Sequence, residues 1–177
     1  QYFTNFSTTV FKDSDALCLG IENSTTYDWE EWVDGGWLSE CDPASIVIHL
    51  GGENLVEHNE SADEIASSLI RLVSLIRAKM PASKLFLLSI TPRNLETEKS
   101  AALLTANSKV KTWCEDKSGV VFVDSSSKLD KTMLKDDEHL KIAYYNSFID
   151  LLSNSGLVIK EVDKTLIRDI EDVSFTT

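Results

Sequence analysis

Two groups of residues have the types and spacing to do chemistry. The first is Asp136-Asp137-Glu138-His139-Leu140, ahead of an amphipathic stretch that continues through Tyr144, Phe148 and Leu151. An aspartate and a histidine three apart at a helix entrance can share one side. The carboxylate then fixes the imidazole tautomer and stabilises the imidazolium that acid–base catalysis creates. Asp136 and Asp137 also suit a helix N-terminus electrostatically, which is the plainer reading of the pair. The second group is Gly51-Gly52-Glu53-Asn54, directly after the apolar run Ser45 to Leu50. Glycine there permits close backbone approach, and an amide side chain can donate to a developing oxyanion. Taken alone, Asn54 reads more readily as a turn asparagine capping the next segment.

These groups need a scaffold, and the apolar pattern supplies one. Ala16 to Ile21, Ser45 to Leu50, Leu85 to Ile90 and Val120 to Val123 are short Ile/Val/Leu-rich runs without polar alternation. Such runs suit strands covered on both faces. Helical patterns lie between them. One opens at Ser61 with Glu64 three residues on, then carries Ile65, Leu69, Leu72, Val73 and Ile76 on one stripe and stops before Pro81. Another runs from about Glu96 to Cys114, with Leu103, Ala106, Val110 and Trp113 inward. A third begins near His139, and a shorter one follows Ser24, its expected cap, and ends at Gly35-Gly36. Strand and helix alternate, which predicts a parallel sheet between helical layers. Ligands of such sheets bind beyond the carboxyl ends of the strands, where both chemical groups fall. The stretch 157–177 mixes apolar and charged residues and fits an amphipathic helix or a short hairpin.

Composition narrows the partners. The 177 residues are 42% hydrophobic and 26% charged, as expected of one globular domain spanning 1–177. The formal charge of −12 disfavours nucleic acid and anionic lipid. No apolar run approaches the ~20 residues that span a bilayer, and Gln1 to Val10 has no signal-peptide profile. Cys18, Cys41 and Cys114 form no CxxC pair and suggest no metal site; sparse, odd thiols point to the cytoplasm.

The ordered series Ile46-Val-Ile-His-Leu-Gly-Gly-Glu-Asn54, a capped helix, Leu85-Phe-Leu-Leu-Ser-Ile-Thr-Pro92, Val121-Phe-Val-Asp124 and Asp136-x-x-His139-Leu140 resembles the SGNH (GDSL-like) hydrolases. Leu19-Gly-Ile-Glu-Asn-Ser-Thr25 is similar to that family's glycine block. The resemblance runs from about Gln1 to Leu152. It implies a three-layer α/β/α flavodoxin-like fold and a serine esterase that needs no metal or organic cofactor. By the same resemblance, His139 corresponds to the general base, Asp136 to its orienting carboxylate, Asn54 to an oxyanion-hole amide, and Asn23 to the residue whose backbone N–H completes the hole. Asn23 replaces a glycine there, Leu55 replaces an aspartate, and Ala143-Tyr144 stands where a glycine commonly follows the His-Leu pair. Asparagine tolerates left-handed backbone angles better than most residues.

The Gly-x-Ser block that carries the nucleophile, and the first strand before it, have no counterpart before Gly20. Ser7 follows no apolar run and reads as a loop or cap serine. In a sheet ordered 2-1-3-4-5 the absent strand is the central one. The expectation is therefore an N-terminal segment, or a second chain, that completes the sheet. The implied substrates are small-molecule esters with short acyl groups, acetylated carbohydrates among them. The competing reading is a catalytically inactive ligand-binding or scaffold domain on the same fold. Trp29 and Trp32, three apart, suit helix packing, with Trp37 a further candidate for sugar stacking; His49 and His58 lack a partner pattern.

Overall fold

The computed structural model describes residues 14–39, 41–91, 97–128, 131–135, 141 and 144–160. In chain order its elements are α1 (Thr26–Asp34), β1 (Ser45–Ile48), α2 (Gly52–His58), α3 (Ala62–Lys79), β2 (Lys84–Leu88), α4 (Thr97–Glu115), β3 (Val120–Val123), 3-10 turns at Ser126–Lys128 and Lys131–Met133, and α5 (Tyr145–Asn154).

The three strands form one parallel sheet in the order β1-β2-β3. Ser45 pairs with Lys84 and Ile48 with Leu87; Leu85 pairs with Val120 and Leu88 with Val123. Parallel neighbours need crossovers, and α3 and α4 provide them. Because side chains alternate along a strand, β2 feeds two cores. Leu85 and Leu87 join a cluster with Ile65, Leu69, Leu72, Leu103 and Val110 from α3 and α4, whereas Phe86 and Leu88 join Tyr145, Phe148 and Leu152 from α5. Both faces of the sheet are thus covered, which is why its strands carry apolar residues at consecutive positions.

Local sequence sets the element ends. Ser61 and Glu64 close the expected capping box on α3: the Ser61 Oγ accepts from the Glu64 N–H at 3.4 Å, and the Glu64 carboxylate accepts from the Ser61 N–H at 2.8 Å. The expected stripe from Ile65 to Ile76 is buried along its length, as are Leu103, Ala106 and Val110 of α4, with Trp113 half-buried. At α1 the cap is Thr25, not Ser24, and its partner is Asp28. Ser24 instead donates to the Ile21 carbonyl at 2.8 Å and accepts from the Trp29 indole at 2.9 Å.

Two expectations differ from the structure. The run Ala16 to Ile21 forms no strand, although it matches β1 to β3 in composition. Its backbone makes no ladder bond to β1 among the described residues, and Leu17 and Ile21 are 70% and 45% exposed. An extended apolar segment without a hydrogen-bonded neighbour is not a strand. The helix expected to begin near His139 begins at Tyr145, and residues 136–140 lie outside the described set, as do residues 161–177 of the expected tail.

Candidate active site

A cavity of about 730 Å³ runs along β1, between it and the 15–24 stretch, and reaches Leu88, Ile90 and Thr91 at the end of β2. It falls within the size range of small-molecule sites. Its lining includes Asn23, His49, Gly51 and Thr91, together with Glu53 from the first turn of α2.

Each loop is tied to a neighbouring helix or strand. Asn107 of α4 accepts from the Ile90 N–H at 2.7 Å and donates to the Ile90 carbonyl at 2.9 Å, fixing the loop after β2. The Ser89 and Ser125 hydroxyls meet at 3.0 Å, and Ser89 Oγ also accepts from the Ser126 N–H at 2.7 Å, joining the ends of β2 and β3. Asp124 accepts from the Ser127 N–H at 3.1 Å, closing a turn of its own. His49 Nε2 lies 3.0 Å from Thr91 Oγ1, and its ring sits 6.4 Å from that of Phe148.

The loop after β1 turns at Gly51, whose φ is 109°. A Cβ there would lie 2.9 Å from Ile90 and 3.1 Å from Leu69, so the position needs glycine for both backbone angle and space. α2 then starts at Gly52, and its first turn sends successive side chains about 100° apart. Glu53 borders the cavity, and Asn54 points into the protein.

Asn54 is fully buried. Its Oδ1 accepts from the Thr26 N–H at 3.1 Å; its Nδ2 lies 2.7 Å from Thr26 Oγ1, 3.1 Å from the Glu60 carboxylate and 3.3 Å from Ser68 Oγ. Thr26 is the first residue of α1, and its N–H is one of the donors a helix start leaves without an internal acceptor. Asn54 therefore ties α2 to the starts of α1 and α3. The amide hydrogens of the expected oxyanion donor thus face internal partners, and Asn54 is not among the residues that line the cavity. The signal available in sequence was the pair Gly51-Gly52, which fixes where the helix starts and hence which of residues 53 and 54 faces outward.

Asn23 occupies the left-handed region at φ 58°, in the turn that follows the 16–21 run, and borders the same cavity. His139 and Asp136 lie outside the described residues. The three tryptophans pack on one another: Trp29 stacks on Trp37 at 5.2 Å, and Trp32 meets both edge-on at 5.4 and 5.3 Å. Trp29, Trp32 and Trp37 thus form a packed cluster in which Trp37 keeps 42% exposure. His58 sits edge-on to Tyr27 at 5.5 Å.

Hydrogen bonds and burial shift several titratable groups. The Thr25 backbone and hydroxyl donate to Asp28 and hold its carboxyl below the usual range. Hydrogen bonding to Glu60 raises the Tyr27 phenol. Burial raises the Cys18 thiol at the cavity edge. Among the described residues no three His, Cys, Asp or Glu side chains gather as a metal site, and no helix is long and apolar enough to cross a membrane.

No family model matches the chain. It is similar to the platelet-activating factor acetylhydrolase IB subunit alpha2 of Homo sapiens, 32% identical over 101 residues, which are 57% of this chain and 42% of that protein. A Drosophila melanogaster homologue of the IB subunit beta is 26% identical over 125 residues, 70% of this chain and 52% of its own. Among solved structures, a GDSL-like lipase from Bacteroides thetaiotaomicron superposes with a TM-score of 0.65 at 19% identity, covering 87% of this chain and 82% of its own. An acetylxylan esterase from Geobacillus stearothermophilus gives 0.64 at 15%, covering 89% and 80%. The fold is that of the SGNH hydrolases. The chain spans about half or less of the length of the curated relatives it matches.

Proposed function

We propose that this chain carries most of the active site of an SGNH serine esterase acting on short-chain acyl esters, acetylated carbohydrates included. In this reading an upstream serine, outside residues 1–177, attacks the ester carbonyl carbon. His139 takes its proton and returns it to the departing alkoxide, and Asp136 orients the imidazole. Water then repeats the sequence on the acyl-enzyme and releases the acid. The backbone N–H of Asn23 is the oxyanion donor that this reading assigns on the cavity rim.

The observation that supports this reading is that Asn23, in a left-handed turn, and Gly51 line the same cavity on an SGNH fold. Reported names add to it, since the structural relatives include a carbohydrate esterase family 3 protein from Talaromyces cellulolyticus (21% identical, TM-score 0.61).

One observation favours a second reading, a domain that binds such esters without turning them over. Glu53, not an amide, is the side chain that α2 presents to the cavity, and a carboxylate opposes a developing oxyanion.

Intact mass before and after a fluorophosphonate probe separates the two, measured with p-nitrophenyl acetate turnover on protein expressed from its gene with the codons that precede Gln1. One adduct on a chain heavier than 19.8 kDa, with adduct and turnover both lost in His139→Ala, supports the esterase. Absence of any adduct with esters still bound supports the second reading.

A further inference from the structure

Two polar side chains interrupt an apolar wall. Ile48, Leu50, Leu88 and Ile90 line the cavity where β1 and β2 end, and His49 and Thr91 stand among them, with His49 Nε2 3.0 Å from Thr91 Oγ1. Folding does not ask for this pair. A hydrogen bond exchanged for bonds to water adds little net stability, and an apolar pair of the same shape would join the two loops about as well. Polar groups set into an apolar pocket orient a ligand and select it.

The Thr91 hydroxyl is held in place and keeps bonding capacity. Thr91 is only 6% exposed, Asn107 grips both backbone groups of Ile90 just before it, and the His49 ring lies 6.4 Å from that of Phe148 in α5. A hydroxyl has one donor and two acceptor positions. His49, its partner among the described residues, takes one of the three, which leaves two on a buried oxygen that borders the cavity. Glu53 lines the same cavity from the first turn of α2, and a carboxylate accepts hydrogen bonds. The helix start already stabilises its negative charge, so no cation is needed to hold it there. Both side chains therefore favour a ligand that brings hydroxyl donors.

We propose that Thr91, oriented by His49, is a specificity-determining contact of this cavity, and that its ligand is a vicinal diol carrying one acyl group, whose free hydroxyl meets Thr91 Oγ1. A short acyl group has no hydrogen-bonding atom beyond the ester itself, so the hydroxyl belongs to the alcohol part. The carbon next to the ester-bearing one is the nearest place at which a polyol carries it. Sugar rings and glycerol share this chemistry. That the ligand is an ester rests on the esterase reading; that Thr91 reads a hydroxyl does not.

Two isosteres test the assignment, 2-hydroxyethyl acetate and propyl acetate, which differ only by a terminal hydroxyl in place of a methyl. On the protein prepared for the fluorophosphonate experiment, kcat/KM for the hydroxyl ester should exceed that for propyl acetate by about tenfold or more, because the methyl leaves the buried Thr91 oxygen unpaired. Thr91→Val should bring the ratio to about 1, Thr91→Ser should restore it, and His49→Phe should lower it, each with the fold checked by near-ultraviolet circular dichroism. Where Thr91→Val does not fold, His49→Phe carries the same test. A ratio near 1 in the wild type, or one that these variants leave intact, overturns the assignment. So does a stronger preference for acetylcholine, which has a trimethylammonium group and no hydroxyl and would mean that Glu53 reads charge. If neither ester is turned over, the esterase reading falls and the same ratio is read from Kd, followed by the His49 imidazole resonances that vanish in His49→Phe. Tighter binding of the hydroxyl ester then keeps the Thr91 contact, and equal Kd values or no binding overturns it. Glycerol monoacetate against a monoacetylated methyl xylopyranoside separates an open chain from a ring as the source of the diol.

Discussion

Replacing Asn54 tests whether it is a tether or a reagent. Asn54→Ala leaves the Thr26 N–H, at the start of α1, without its acceptor in a fully buried site, and Glu60 without one of its donors. An unsatisfied buried donor costs about 1–3 kcal/mol and a lost hydrogen bond to a charged group about 1.5–3. Ser68 Oγ keeps its bond to the Ile65 carbonyl, so it adds little. The sum is about 2.5–6 kcal/mol, which for a chain of this size lowers Tm by roughly 5–24 °C. Asn54→Asp sharpens the test. It keeps an acceptor for Thr26 but sets a second carboxylate where the amide now lies 3.1 Å from Glu60. Burial and the neighbouring charge raise the new carboxyl's folded pKa above its unfolded value. The destabilisation is therefore full above that folded pKa and is relieved as pH falls through it, so the deficit against wild type should be larger at pH 7 than at pH 5. Urea unfolding followed by circular dichroism at both pH values measures it. A loss under about 1 kcal/mol for Asn54→Ala, or a pH-independent deficit for Asn54→Asp, refutes the tether.

Two further outcomes follow from single positions. Gly51→Ala combines a backbone angle at φ 109° with a Cβ 2.9 Å from Ile90 and should cost about 2–4 kcal/mol, read as a shift of the urea midpoint at constant slope; a midpoint within error of wild type would mean the loop re-forms freely. Cys114, whose thiol burial pushes up to about 11, has a thiolate fraction of about 0.1% at pH 8 and should be the last of the three thiols alkylated by iodoacetamide in the native state, with peptide mapping showing the order; early modification of Cys114 would mean α4 opens readily.

What the sequence revealed, and what it concealed, divides along one physical line. Patterns whose period is local were legible: the Ser61–Glu64 box, the α3 stripe and the alternation of strand and helix each depend on residues within a turn or two of one another. The candidate site depends on rotations accumulated across a bend. Whether residue 53 or 54 faces the cavity is decided by where α2 begins, and that is set by Gly51 packing against Ile90 and Leu69, contacts 39 and 18 residues away in the chain. The same distinction accounts for Ala16 to Ile21. Its composition specifies a strand, but a strand is a relation between two segments, and composition cannot supply the second one. The polar caps conceal less than they seem to: Thr25 in place of Ser24 moves a helix start by one residue, because both hydroxyls suit a cap and Trp29 engages the Ser24 hydroxyl. A hydroxyl already engaged by an indole is a weaker cap, so a side-chain bond from within the same helix, not the propensity, chose between neighbours.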